Sequence, residues 1–175
     1  MRKFEQLIKE RRSTRNFTDE LLRQEDVEIL LKAVLMSPTS KNTTEWSFIV
    51  VENKQTLEQL AGCKAHGAAM IGKAPLAIVV CADPFLNDVW IEDAAIASIY
   101  IQLQAEDLGL GSCWVQIRNR ETKNGSSSEE YVREVLNIPM HMQVLSIIPI
   151  GYKAKSRDPF DENKLQWEKI HIDKW

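Results

Sequence analysis

The sequence predicts a single domain, residues 1–175, that mixes helices and strands in the α+β or α/β class. A chain of 175 residues is a common size for one domain, and 44% hydrophobic residues are enough to bury a core. Some segments repeat apolar residues at helical spacing, whereas others are continuous apolar runs of strand length. Because both kinds of segment are interspersed along the chain, we expect a mixed fold.

The chain up to residue 61 predicts three helices and a strand. The apolar faces of the first two helices are formed by Phe4, Leu7 and Ile8 and by Val27, Leu30, Leu31, Val34 and Leu35. Pro38 ends the second helix, because proline lacks the N–H group that continued helical hydrogen bonding requires. The run SFIVVE at residues 47–52 predicts a strand, and residues 55–61 predict a short third helix.

The later part of the chain predicts four more strands and another helix. The strands are LAIVVCA (76–82, opened by Pro75), GSCWVQI (111–117), VLSIIPIGY (144–152) and KIHI (169–172). Between the second and third of these runs, NGSSSEE predicts a loop that leads into a helix capped by Ser128. The buried face of that helix is expected to carry Tyr131, Val135 and Leu136.

Residues 93–109 predict a central helix of unusual composition. Between Ala94 and Ala105 there is no charged residue, and the polar residues are Ser98, Gln102 and Gln104. A helix that is apolar on nearly every side is buried on nearly every side, which one small domain achieves poorly. We therefore favour an obligate homodimer built around this helix over a helix wrapped by its own sheet.

Composition argues against several classes of protein. The net charge of −3 does not suit general nucleic-acid binding, which usually needs a basic face. The apolar runs are far shorter than the roughly 20 residues of a membrane span, and the charged N-terminus does not resemble a signal peptide. Cys63, Cys81 and Cys113 lack metal-like spacing and indicate reduced thiols, so we expect no metal site and a cytoplasmic location.

The segment RRSTR concentrates positive charge and hydroxyl groups at one turn of a mildly acidic protein. A phosphate monoester is bound by guanidinium groups and hydroxyl donors, which Arg11, Arg12, Ser13 and Arg15 supply at close range. The alternative is that Arg11 and Arg12 complement the negative end of the first helix dipole. Taken alone, the segment favours this helix-end interpretation.

Two further segments offer groups to a flat polar ligand. In SPTSKNTTEW (37–46), Asn42 carries the donor and the acceptor needed to recognise an imide edge, such as the pyrimidine ring of a flavin. The alternative is a plain helix-to-strand connection anchored by Trp46. In LGLGSCW (108–114), Gly109 and Gly111 permit a helix C-cap and a close backbone approach to a ligand, or simply a cap before a strand.

The segment PIGYKAKSRDPFDENKL (149–165) predicts the end of a strand followed by an extended arm. The arm is polar and lacks periodicity, and its basic residues are Lys153, Lys155, Arg157 and Lys164. Such an arm either wraps a partner subunit or is disordered. The apolar and aromatic residues that return in LQWEKIHIDKW favour a docked tail.

Taken together and in order, these stretches resemble the nitroreductase family of FMN-dependent oxidoreductases. The matching pieces are RRSTRNF, LLKAVLMSPTSKNTTEWSFIVV, IEDAAIASIYIQLQAEDLGLGSCW, LNIP and PIGY, which span nearly the whole chain. The resemblance implies an α+β fold with a central mixed or antiparallel sheet flanked by helices, a buried central dimer helix and an extended C-terminal arm. It also implies a homodimer with two FMN sites at the subunit interface.

The resemblance implies a set of cofactor-binding residues. Arg11 and Ser13 would hold the phosphate or ribityl groups, and Arg15 would approach the pyrimidine side of the ring. A second motif, contributed by the other subunit, would bring Asn42 to the isoalloxazine edge. The complete set is Arg11, Arg12, Ser13, Arg15, Pro38, Thr39, Ser40, Asn42, Leu110, Gly111, Ser112, Arg157 and Lys164.

Two details of this set are particular to the chain. A basic residue of the arm would meet the phosphate, and Lys164 is preferred to Arg157 for that role. Where the family commonly reads N-x-Q-P-W, this chain reads NTTEW at residues 42–46.

The reaction implied by the resemblance is a ping-pong transfer of hydride from NADH or NADPH through flavin N5 to a small acceptor of the nitroaromatic or quinone type. The flavin performs the redox chemistry, and the protein orients it and tunes its electronics. Arg15 would stabilise the negative charge that reduction leaves around N1 and O2. The alternatives are other flavin chemistry, such as dehalogenation or flavin fragmentation, and a non-catalytic flavin-binding dimer.

Overall fold

A computed structural model describes residues 3–175, and its centre is one sheet of five strands. The strands are β1 (Trp46–Val51), β2 (Leu76–Ala82), β3 (Leu110–Ser112), β4 (Val115–Gln116) and β5 (Gln143–Tyr152). Their order is β1-β2-β5-β3, with β4 also paired to β5, and each of these pairs is antiparallel. An antiparallel sheet flanked by helices confirms the predicted α+β class.

The described residues form five α-helices around this sheet. They are α1 (Phe4–Glu10), α2 (Gln24–Leu35), α3 (Lys54–Leu60), α4 (Trp90–Asp107) and α5 (Ser128–Leu136). The helices predicted from apolar spacing are thus confirmed, although α4 begins three residues before the predicted start at residue 93. Within residues 3–175, none of the helices is both long and apolar enough to span a membrane.

Helices cover both faces of the sheet. One core lies between the sheet and α2 and α4, and the other lies between the sheet and α3 and α5. Successive residues of β2 point to opposite faces, so that Ile78 joins the first core and Val79 joins the second. This two-sided cover explains why every residue of LAIVVCA is apolar and buried.

The outer surface of α4 is apolar but only partly covered. Its inner side packs into the core through Ala94, Ala97 and Ile101, which are fully buried. The outer side leaves Ile96, Ile99 and Tyr100 between 36% and 38% exposed. The sheet of the same chain therefore covers one side of the helix, and the interpretation that it wraps the whole helix is wrong.

The buried serine of α4, Ser98, finds its partners inside the chain. The Ser98 hydroxyl group lies 3.0 Å from that of Ser146 on β5 and donates to the Ala94 carbonyl oxygen at 2.8 Å. Because both hydroxyl groups are buried and hydrogen-bonded, the polar position at Ser98 does not require a second subunit.

The predicted C-terminal arm begins beside the N-terminal segment and then runs over the surface. The Ala154 N–H donates to the Asn16 carbonyl oxygen at 3.2 Å, and the Phe160 N–H donates to the Lys9 carbonyl oxygen at 2.8 Å. Every residue from 154 to 175 is exposed. The last residues are rich in exposed apolar side chains, with Trp167 at 69% and Trp175 at 101% of full exposure.

Three local predictions need correction. KIHI is not a strand: a 3₁₀ turn at Trp167–Lys169 precedes irregular backbone, because no neighbouring strand satisfies its N–H and C=O groups. GSCWVQI is split into β3 and β4 around Cys113. Ser127, rather than Ser128, caps α5 by accepting a hydrogen bond from the Glu130 N–H, whereas the Ser128 hydroxyl group donates to the Cys63 carbonyl oxygen.

Candidate functional site

The RRSTR segment lies against the turn that follows α4. The Thr14 N–H donates to the Ser112 carbonyl oxygen at 2.9 Å, and Ser13 forms an isolated parallel bridge with Ser112. Thr14 is buried, whereas Arg11, Arg12 and Ser13 before it are partly exposed and Arg15 after it is exposed. Thr14 therefore anchors the segment while the basic and hydroxyl groups remain accessible.

Two glycines shape this contact. Gly109 ends α4 with a φ of +78°, which confirms the predicted left-handed C-cap. A Cβ atom at Gly111 would lie 2.6 Å from the Thr14 side chain, so only glycine permits the two segments to pack this closely. The contact made by Gly111 in this structure is thus with Thr14.

Replacing Gly111 by alanine is expected to separate the RRSTR segment from β3. The added methyl group overlaps Thr14, and overpacking of this kind costs about 1–3 kcal/mol of unfolding free energy. Chemical denaturation would measure the loss, and faster amide exchange at Thr14 would locate it. The control is Gly72→Ala, whose Cβ atom would meet Ala61 at 3.3 Å; equal effects of the two changes would contradict this account.

Basic side chains of the RRSTR segment and of the arm line a common surface hollow of about 890 Å³, which we call the basic hollow. Its polar lining includes Arg11, Arg12, Ser13, Arg15 and Arg157. A second hollow of about 760 Å³ adjoins it, shares Arg12, Arg15 and Arg157, and adds Lys155 and Lys164. Two segments far apart in sequence therefore bring at least four cationic groups to one place.

Some basic residues near the hollow are already paired. Lys153 forms a 2.6 Å ion pair with Glu106, and Lys9 forms one of 2.7 Å with Glu162, whose carboxylate raises the pKa of Lys9. Lys164 lies 3.7 Å from the Asp161 carboxylate. By contrast, no carboxylate of residues 3–175 lies within ion-pair distance of Arg11, Arg15 or Arg157. These three guanidinium groups are available to an external anion.

Arg12 has a structural contact as well as a place in the hollow. Its Nη1 donates to the Asp158 carbonyl oxygen at 3.3 Å, which ties the arm to the RRSTR segment. Arg11 is the C-cap residue of α1, so the predicted interaction with the helix dipole is compatible with its position. The two interpretations of RRSTR are therefore not exclusive.

The second predicted motif lies elsewhere. Pro38, Thr39, Ser40 and Asn42 belong to the loop between α2 and β1, and none of them lines either hollow. The Ser40 N–H donates to Asp93 at the start of α4, whereas RRSTR contacts Ser112 beyond its end. About 21 Å of helix, from Asp93 to Asp107, therefore lies between these two contacts.

The remaining predicted residues differ in what they offer. Leu110 is fully buried in the core, so neither its side chain nor its backbone is open to a ligand in the single chain. Gly111 and Ser112 are also buried and join β3 to the RRSTR segment. Of the two basic arm residues, Arg157 lines both hollows and lacks a carboxylate partner, whereas Lys164 lines one and lies near Asp161. The geometry therefore favours Arg157.

The cysteines are poor candidates for chemistry. All three are free and buried, and burial raises the pKa of Cys63 and of Cys81 to about 12, which disfavours the reactive thiolate. Cys113 lies next to β3 with 2% exposure. Residues 3–175 contain no cluster of three or more His, Cys, Asp or Glu placed to bind a metal ion.

Sequence reasoning missed residues whose role depends on tertiary contact. Thr14 sits inside a predicted motif, but its part as the anchor depends on Gly111, which is distant in sequence. In the sequence, Glu45 is only a departure from the N-x-Q-P-W pattern, yet in the structure it is 3% exposed within a group of polar side chains. The sequence offers one signal of this role, which is that Glu45 lies directly before a strand. A charged residue buried at such a position usually has polar partners.

Comparison with known proteins gives a consistent result. The chain matches the sequence profile described as "Nitroreductase family" over residues 8–69 and 63–152. A solved structure of an FMN-dependent nitroreductase from Clostridium difficile R20291 superimposes with a TM-score of 0.94 at 43% identity, covering 97% of this chain and 98% of that one.

Two archaeal relatives carry the provisional name NADH dehydrogenase/NAD(P)H nitroreductase. The one from Archaeoglobus fulgidus is 34% identical over 174 residues and covers 97% of both chains. The one from Methanothermobacter thermautotrophicus is 36% identical over 174 residues, which is 96% of this chain and 85% of the relative.

Proposed function

This chain belongs to the nitroreductase family, and we propose that it transfers hydride from NAD(P)H through FMN to a small acceptor of the nitroaromatic or quinone type. Its relatives are NAD(P)H-dependent oxidoreductases, and FMN is the cofactor named for the C. difficile structure. The observation that carries the proposal is the basic hollow, in which arginines from two segments converge without carboxylate partners.

The residues of the basic hollow suit the phosphate of FMN. A phosphate monoester carries close to two negative charges, and guanidinium groups bind it through paired hydrogen bonds. Arg11 and Arg157 supply such groups, and the partly exposed Ser13 hydroxyl group supplies a further donor. We assign the phosphate to these three residues, with Arg157 in the place first expected for Lys164.

The distance along α4 supports a site shared between two copies of the chain. One copy of the chain presents its two motifs towards opposite ends of α4, because about 21 Å of this helix lies between Asp93, which the loop contacts, and Asp107, after which the RRSTR contact follows. A second copy can bring its own loop to the first copy's hollow. We therefore propose a homodimer in which each FMN is bound by RRSTR of one subunit and by residues 38–42 of the other.

Two exposed apolar surfaces suit such a dimer. The first, which we call the outer α4 face, consists of Ile96, Ile99 and Tyr100. The second is the tail of the arm, where Trp167, Ile170, Ile172 and Trp175 are all more than 60% exposed. Apolar surface of this extent is unfavourable in water, and a second subunit would cover it. We propose that the whole chain acts as one domain within this dimer.

The protein's own residues position and tune the cofactor in this proposal. When bound, FMN supplies the N5 atom that accepts and passes on hydride. Arg15 is exposed beside the basic hollow, where its fixed positive charge would favour negative charge at the pyrimidine side of the ring. No side-chain nucleophile is needed, which agrees with the burial of all three cysteines.

The proposed function is tested by the visible spectrum of the purified protein reconstituted with FMN. We expect bound oxidised flavin that bleaches on anaerobic addition of NADH or NADPH and regains its colour when a nitroaromatic or quinone is added. Steady-state rates should give parallel double-reciprocal lines, as ping-pong kinetics require. Tight flavin binding without bleaching would instead indicate a non-catalytic flavin protein.

A further inference from the structure

The loop between α2 and β1 has a strained backbone. Lys41, Asn42 and Thr44 have φ values of +54°, +56° and +47°. Non-glycine residues rarely adopt this left-handed conformation, and a β-branched residue such as Thr44 is especially unfavourable there. Such residues keep these angles only when surrounding contacts fix them, and they are frequent at ligand-binding sites.

Buried polar side chains hold this loop from inside. The Ser40 N–H and the Asn87 side-chain amide both donate to Asp93 Oδ2 at 2.9 Å. The Thr43 hydroxyl group lies 2.6 Å from Glu45 Oε2, and Asn87 also contacts Thr43 and Glu45 at 3.1 and 3.4 Å. Glu45, Asn87 and Asp93 are each at most 5% exposed. The loop is thereby fixed to the start of α4 and to residues 83–89.

The two carboxyl groups of this cluster have no counter-charge. Within residues 3–175, neither Glu45 nor Asp93 has a lysine, arginine or histidine within ion-pair distance. The loop, the segment before α4 and the start of α4 carry four other charged residues, which are Lys41, Asp83, Asp88 and Glu92. Three of these four are negative. Two neighbouring buried carboxylates of like charge are unfavourable, and one of them is expected to retain a proton.

The hydrogen bonds within the cluster do not neutralise the two carboxyl groups. Their donors are one N–H of Ser40, the side-chain amide of Asn87 and the hydroxyl group of Thr43, all of which are uncharged. A retained proton removes one of the two negative charges. Burial, followed by the contact with Glu45, raises the pKa of Asp93 despite the Ser40 hydrogen bond.

We propose that Glu45 and Asp93 share one proton and that, through Asn87, this pair is the positioning element that holds residues 39–44 in their strained conformation. The part of this inference that concerns the cofactor rests on the proposed function, since the same loop carries Asn42 to the flavin of the partner subunit. Glu45 stands where the resemblance leads one to expect a rigid proline. A hydrogen-bonded carboxyl pair thus replaces a fixed ring as the source of loop order.

The test compares two replacements of Glu45. Glu45→Gln keeps the size of the side chain and supplies its own N–H donor, so it imitates the protonated acid. Glu45→Leu fills similar space but leaves Thr43, Asn87 and Asp93 without that partner. Glu52→Gln, at an exposed position after β1, is the matched control for the loss of one negative charge.

The first measurement is carboxyl-carbon NMR titration of the FMN-free protein. We expect a carboxyl group of the pair to titrate above the ordinary range of an aspartate in the wild type, and this titration to be lost in Glu45→Gln. Two carboxyl groups that both titrate in the ordinary range would overturn the shared proton. Since no flavin is involved, this result stands even if the proposed function fails.

The second measurement is thermal unfolding of the FMN-free protein as a function of pH. A carboxyl group whose pKa is raised by folding stabilises the protein at low pH, and this contribution is lost as the pH rises through its folded-state pKa. The melting temperature of Glu45→Gln minus that of the wild type should therefore increase with pH. A difference that is constant or decreases with pH would contradict the proposal.

The third measurement separates positioning from general stability. FMN affinity should fall by at least about 10-fold in Glu45→Leu, because buried polar groups are left unpaired. It should stay within about 3-fold of the wild type in Glu45→Gln, as rescue by the conservative replacement requires. Equal affinity in all three proteins would overturn the positioning role, whereas a wild type that fails to bind FMN would reject the proposed function alone.

Discussion

Replacing Ile99 by aspartate is expected to convert the proposed dimer to a monomer and to abolish tight FMN binding. Ile99 lies at the centre of the outer α4 face and is 37% exposed in the single chain, so a change here does not disturb the chain's own core. A carboxylate at this position would be buried without a partner in the dimer. A hot-spot residue at the centre of an interface contributes at least about 2 kcal/mol, which corresponds to about 30-fold in affinity.

Sedimentation velocity and FMN titration measure these two effects. The matched control is Met140→Asp, which places the same charge at a residue 80% exposed in the turn between α5 and β5. That turn belongs to the opposite side of the sheet from α4, so the control should remain a dimer and bind FMN normally. A monomeric Ile99→Asp protein that still binds FMN tightly would show that one chain suffices for the site.

The second large effect is expected when arginines of the basic hollow are replaced by alanine. We expect Arg11 to act in FMN binding and Arg15 to act in flavin reduction. Arg11→Ala should weaken FMN binding by about 10- to 100-fold, since a hydrogen bond to a charged group contributes about 1.5–3 kcal/mol. At saturating FMN, its reduction by NAD(P)H should change little. Arg15→Ala should do the reverse and slow flavin reduction by about 100-fold, in line with the removal of one electrostatic donor to developing charge.

Flavin-release titration and anaerobic stopped-flow reduction distinguish these outcomes. Arg157→Ala should resemble Arg11→Ala, whereas Lys164→Ala should have a smaller effect because Lys164 lies close to Asp161. If Arg11→Ala and Arg15→Ala have identical effects on both quantities, the assignment of separate roles is wrong. If Lys164→Ala weakens FMN binding more than Arg157→Ala does, the first expectation for the arm was correct.

Periodicity was sufficient to predict most of the fold. Helices α2 and α4 and strands β2 and β5 are long enough for their apolar spacing or apolar runs to be distinctive. KIHI failed because a short apolar run becomes a strand only beside another strand, and a local pattern does not contain that partner. The cap of α5 was misplaced by one residue because three successive serines offer the same side-chain oxygen.

The candidate site was only partly predictable. Short motifs indicated which residue types could bind an anion, but the preference for Arg157 over Lys164 depends on which arm residue has an acidic neighbour. The pairing of Thr14 with Gly111 and that of Glu45 with Asp93 join residues far apart in sequence. Such contacts follow from how the elements pack, which no single segment determines.

A subunit-mixing experiment tests the central claim, that each FMN site combines the RRSTR segment of one chain with the residue 38–42 loop of another. Arg11→Ala impairs the first motif, and Asn42→Trp blocks the second with a bulky ring. Each variant alone should bind FMN weakly, because both of its sites contain one defect. In the mixed heterodimer, one site carries both defects and the other carries none.

The heterodimer is purified by means of a different affinity tag on each chain. The measured quantity is the amount of FMN that it binds tightly. We predict that it binds one FMN per dimer with wild-type affinity, although neither parent does. A heterodimer whose FMN affinity remains as weak as that of the parents would contradict the claim and place both motifs of each site within the same chain.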